Sequence, residues 1–218
     1  MKISGLLGLV TVLGMTAGCA MQPSQQSQQL QSSISPVEED SRDIVVYFLP
    51  LDDFDVDVSV SLAQYFSQEF GVRMKSALPM GSRELQPFEG TQQYAGEDIL
   101  MLAKPVLERL PGRAPNASYV LLTNRDINAR SRTFRYMFSW HDTALRASVV
   151  STARMTEPGD FSQRAASLLA ARFSKMIRRA VGEIQFGWKR SSNINDAMYS
   201  PIMGVDDLDR IGRTYTPD

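Results

Sequence analysis

Residues 160–190 read DFSQRAASLLAARFSKMIRRAVGEIQFGWKR. Apolar residues recur there at Phe161, Ala165, Leu168, Leu169, Phe173, Met176, Ile177, Ala180, Val181 and Ile184. Steps of three and four residues place them on one stripe, so residues 161 to 185 are expected to form a long helix with that stripe on a core. Asp160 is placed to cap its start. Arg164, Arg172, Lys175, Arg178 and Arg179 fall on the other face, the side expected in solvent. Such a helix needs a sheet or other helices to cover its stripe.

The segments before it supply them. Ile44 to Leu49, IVVYFL, is a continuous apolar run ending at Pro50 and reads as a buried strand. Ser118 to Thr123, SYVLLT, is another, and Val72 to Met74 begins a short one. Thr133 to Phe138 and Ser148 to Ala153 suggest two more, joined across a loop. Val58 to Phe70 has helical spacing and stops at Gly71; Tyr94 to Leu110 is a second helix, with Pro105 placed to kink it. Residues 77–91 hold Pro79, Gly81, Pro87 and Gly90 and read as loop. After Trp188 the chain is irregular, with a short helix at Asp206 to Ile211. The order predicts an α/β fold: a mixed sheet packed on helices, a long helix in the C-terminal half and an irregular tail.

The first 42 residues do not belong to that domain. MKISGLLGLVTVLGMTAGC at 1–19 has Lys2, an uncharged apolar run, then small residues before Cys19. That is the layout of a secretory signal; the run is too short to span a bilayer, which takes roughly 20 residues. Its end resembles a bacterial lipobox, with Thr16 where Leu is preferred. The resemblance implies a signal peptide at 1–18, acylation of Cys19 and, from Ala20, the outer membrane facing the periplasm. Residues 19–42, rich in Gln and Ser, read as a flexible tether to a globular domain at 43–218.

Charge and counts limit the chemistry. The chain carries 23 Lys+Arg against 24 Asp+Glu, which gives no basic excess for nucleic acid. One Cys and one His exclude an internal disulfide and a usual His/Cys zinc site built from this chain alone. Asp53, Asp55 and Asp57 alternate, but Val58 and Gln64 stand where a calcium loop starting at Asp53 needs Gly and Glu, so the segment reads as a solvated loop. Arg125, Arg130, Arg132 and Arg135 with Phe134 and Tyr136 read as a solvated hairpin. The serines show no His partner for a triad, and His141 reads as a loop or sheet-edge histidine.

Several segments, in order, resemble the archaemetzincins, a branch of the metzincin zinc peptidases. They are Gln93-Tyr94 with Ile99-Leu100; Leu122-Thr123-Asn124-Arg125-Asp126-Ile127; the aromatic run Tyr136-Met137-Phe138; and Ala147-Ser148-Val149-Val150-Ser151-Thr152-Ala153-Arg154-Met155. The resemblance covers roughly 43–211. It implies a metzincin-like fold, with Met198 as the Met-turn residue ahead of the acidic Val205 to Asp209. It also implies His-Glu-x-x-His-x-x-Gly-x-x-His on the long helix, where histidines hold zinc and the Glu activates water. Placing the motif Gly on Gly187 puts Ala180, Ile184 and Arg190 at the ligand positions. Placing the motif Glu on Glu183 puts Gly182 and Phe186 there. Neither alignment supplies a ligand.

The expectation is therefore a non-catalytic scaffold, with no catalytic residues, metal or cofactor. It would bind an envelope peptide or protein, or serve in envelope assembly, through a groove beside Ala147 to Ala153. The former site, around Ala180, Gly182, Glu183, Ile184, Phe186, Gly187 and Met198, is expected to be filled or shallow and apolar. The alternatives are a metallopeptidase with atypical ligands and a structural envelope protein.

Overall fold

The computed structural model describes residues 43–217. The expected signal peptide, Cys19 and tether lie outside them. The strands are β1 (Ile44–Pro50), β2 (Met74–Ser76), β3 (Gln93–Ala95), β4 (Arg113–Thr123), β5 (Asp126–Asn128), β6 (Ser139–Asp142) and β7 (Ala147–Ser151). The helices are α1 (Val56–Phe70), α2 (Gly96–Leu107), α3 (Gln163–Phe186) and α4 (Val205–Arg210). β2, β1, β4, β7 and β6 form one sheet in that order, parallel except for the antiparallel edge strand β6. β3 and β5 pair separately.

Strand alternation sorts the core into two layers. Val46, Phe48, Val120, Leu122 and Val150 face α1 and α3. Tyr47, Leu49, Tyr119, Leu121 and Val149 face α2. Both faces are covered, which is why Ile44 to Leu49 of β1 and Tyr119 to Leu122 of β4 are continuous apolar runs rather than alternating ones. This is the α/β sandwich with a mixed sheet and a long C-terminal-half helix expected from the element order.

Several local expectations need correction. The strand placed at Thr133 to Phe138 lies at β6, after a turn in which Met137 bridges back to Ile127; β5 is too short to show periodicity. Tyr94 belongs to β3, and helix α2 starts after it. Ser162, not Asp160, caps α3, its hydroxyl accepting from the Ala165 amide at 3.1 Å. Phe161 precedes the helix and is 96% exposed, so it is not part of the apolar stripe. Of the aspartates read as solvated, Asp55 caps α1, while Asp53 accepts from the Thr123 hydroxyl and the Asn124 amide.

The largest correction concerns the cationic face of α3. Arg172, Arg178 and Arg179 are buried. Arg178 makes a forked pair with Glu69 of α1 at 2.5 and 2.8 Å, and Arg172 one with Asp209 of α4 at 2.7 and 2.6 Å. Lys175 donates to the Leu208 and Asp209 carbonyls at the end of α4. An arginine can be buried when its fork is satisfied. The face was polar because it clamps neighbouring elements, not because it meets water.

Candidate functional site

The site is built where edge strand β6 passes over α3. β6 pairs with β7 so that Ser139 opposes Val150 and His141 opposes Ser148, which puts Ser139 and His141 on the face that α3 covers. Trp140 takes the other face and lies on Gly96, where a Cβ would collide with the indole.

His141 is held between two hydroxyls. Ser139 Oγ lies 2.8 Å from Nε2 and Ser148 Oγ 2.7 Å from Nδ1. Burial first, then the charges of Arg190 and Arg179, push its pKa down to about 3. The ring is neutral at pH 7, so the Glu183 Oε2 contact at 3.9 Å from Nε2 is not an ion pair. The structure thus supplies serine partners for a histidine that the sequence left without any. They do not make a nucleophile pair. A base this weak does not activate a hydroxyl at neutral pH, and Ser148 occupies the nitrogen an orienting carboxylate would need.

From below, α3 presents Met176, Arg179 and Glu183 to the same space. Arg179 is 1% exposed. Its Nη1 donates to Ala197 O at 2.8 Å and Tyr199 O at 2.7 Å, the carbonyls on either side of fully buried Met198. Arg179 therefore pins that turn beneath the helix. Desolvation lowers its pKa to about 10, which leaves it charged at neutral pH. The helix ends at Gly187, left-handed at φ 68°, and the Trp188 amide donates to Gly182 O at 2.9 Å. The chain then turns back, and Arg190 Nη2 reaches 2.6 Å from Glu183 Oε2. Between strand and helix lies a cleft of ≈ 360 Å³, with Tyr136, Phe138 and Ile202 among its apolar walls.

Of the site residues named from sequence, Glu183 lines the cleft, Met198 sits in the turn behind it and Gly187 caps the end of α3. Ala180 and Ile184 do not reach it; they are 0% and 5% exposed, in the core under the sheet. Gly182 is covered by the Trp188 ring, and Phe186 stacks outside on Phe70 at 5.2 Å. The expected filled or shallow apolar groove is instead a cleft with Arg179 and Glu183 on its floor. The groove expected beside β7 is beside β6, because β7 is interior to the sheet. Sequence reading missed Arg179. The available signal was its spacing: Arg179 and Glu183 are four residues apart, as the motif's first two histidines are, and Arg190 follows Arg179 by eleven rather than the motif's ten.

These residues do not fit a hydrolytic zinc. The cleft offers one imidazole and one carboxylate, and Arg179 and Arg190 put two positive charges beside them. Among the described residues, no group of three or more His, Cys, Asp or Glu could hold a metal ion.

No family model and no curated protein matches the chain. Solved structures do. The archaemetzincin of Archaeoglobus fulgidus, complexed with malonate, is similar at TM-score 0.60 and 21% identity over 79% of this chain and 96% of that one. A zinc-dependent peptidase from Methanocorpusculum labreanum matches at TM-score 0.62 and 17% identity, covering 78% and 95%. The archaemetzincin of Methanopyrus kandleri matches at 0.58 and 19%, covering 82% and 92%. The domain has the archaemetzincin fold.

Proposed function

We propose that this domain is a non-catalytic peptide- or protein-binding module with an archaemetzincin-like fold. The observation that carries the reading is the cleft itself: an edge strand, Ser139–Asp142, lies above a helix face bearing Arg179 and Glu183. An extended peptide can add to a sheet edge through main-chain hydrogen bonds, with side chains entering a flanking pocket. The apolar walls supply that pocket, and the two arginines oppose a bound cation. Fold and activity separate readily, since activity rests on a few side chains and the fold on the core.

The setting follows from the N-terminal sequence alone. A lipidated Cys19 would anchor the module at the outer membrane, facing the periplasm, with residues 20–42 as the tether and an envelope peptide or protein as partner. The test of the non-catalytic reading is incubation of purified full-length protein with a reduced, carboxymethylated protein substrate and added zinc. The expected result is an intact substrate and no stoichiometric zinc retained. Chelator-sensitive cleavage, abolished by Glu183→Ala, would overturn it.

A further inference from the structure

The cleft is lined by guanidinium donors that its own side chains do not use. Arg179 and Arg190 face one carboxylate, Glu183, and His141 is neutral. Asp196 lies behind the cleft and offsets part of the Arg179 charge, while its carboxylate oxygens accept the Met198 amide at 2.6 Å and the Thr216 amide at 2.7 Å. Arg179 is 1% exposed, and its Nε is buried with no hydrogen-bond partner. Arg190 stands at the rim with its side chain 43% exposed. A guanidinium offers five donors in a planar fork, and these two have donors to spare.

We propose that this cleft selects a carboxylate, the C-terminal carboxylate of a bound peptide, with Arg190 as its main partner. The proposal rests on the peptide-binding reading above and names the group that the site prefers. Among the described residues, Arg190 shares its fork with Glu183 alone, so its free donors suit one planar carboxylate; a dianionic phosphate would put two negative charges beside Glu183. The apolar walls Tyr136, Phe138, Met176 and Ile202 suit the last side chain of the peptide. A peptide that pairs along β6 and ends over the cleft brings its terminal carboxylate within reach of Arg190. An acidic side chain could bring the same group, and the test separates the two sources.

Three fluorescent, N-terminally labelled peptides of one Val/Thr-rich sequence serve as probes for the full-length protein, read by fluorescence anisotropy. One ends in a free acid, one in an amide, and the third in an amide with Glu as its last residue. The free acid is expected to bind about tenfold more tightly than the plain amide, the scale of one charge-assisted hydrogen-bonded pair. Arg190→Ala, at a rim position, should erase that advantage without loss of folding by circular dichroism. Equal affinity of acid and amide would overturn the carboxylate proposal and leave peptide binding standing. The Glu-terminated amide binding as tightly as the acid would overturn the assignment to a chain terminus. If no peptide bound, both readings would fall.

Discussion

His141 shows how a residue is placed by its neighbours rather than by its own sequence. Nothing in Trp140-His141-Asp142 says that the ring is buried between two serines; the β6–β7 alignment says so, by setting His141 opposite Ser148. Its pKa is depressed to about 3 in the fold, against 6.5 unfolded, so between those values the unfolded chain holds a proton that the folded chain does not. The contribution of this group is therefore complete above pH 6.5 and is lost as pH falls toward 3. At pH 4.5 the loss is roughly 2–3 kcal/mol. His141→Gln should flatten the decline in urea-unfolding stability between pH 7 and 4.5 by about that amount; parallel curves would refute it. Arg179 was equally illegible, because a cation on the polar face of a helix reads as solvated. Its burial depends on the Ala197 and Tyr199 carbonyls, which come from a distant turn. Arg179→Met should leave both carbonyls without that donor and cost about 2–5 kcal/mol, measured by thermal or denaturant unfolding.

At the scale of elements, α3 was the most legible part, because its period is long and its apolar stripe is buried against a full sheet. Phe173 is 5% exposed and packs on Phe54 at 5.6 Å between ring centres. Phe173→Ala should cost about 3–5 kcal/mol. Phe161→Ser should change stability by less than about 0.5 kcal/mol, since that ring lies outside the helix. Comparable losses at the two sites would contradict the placement of the helix start. The short strands were the least legible. β5 and β6 have three and four residues, too few for alternation to emerge, and what fixes them is pairing to β3 and β7. The same brevity hid the cleft: with β6 unplaced, the expected groove fell beside β7, and aligning the zinc motif's Gly on Gly187 put the expected ligand positions on Ala180 and Ile184, which lie in the core.

For the whole molecule, the order of elements carried the fold, since alternating strands and helices leave few ways to cover a sheet on both faces. The signal-like N-terminus is read from the sequence and lies outside the described residues. Cys19→Ser is expected to release the protein from membranes and to remove lipid mass from its N-terminus; unchanged membrane fractionation would contradict the anchor. The site was legible only as an altered motif, because its chemistry depends on which face of α3 meets β6 and on how Gly187 returns Arg190 to Glu183. In the proposed function, this cleft binds extended peptide and does not cut it. The most direct measurement is residue-resolved amide hydrogen exchange on the full-length protein, with zinc and an extended peptide blocked at both ends. Slowed exchange within residues 139–142 and a peptide of unchanged mass are expected. Exchange in β6 unaffected at saturating peptide, or a peptide cleaved in the same sample, would contradict that function.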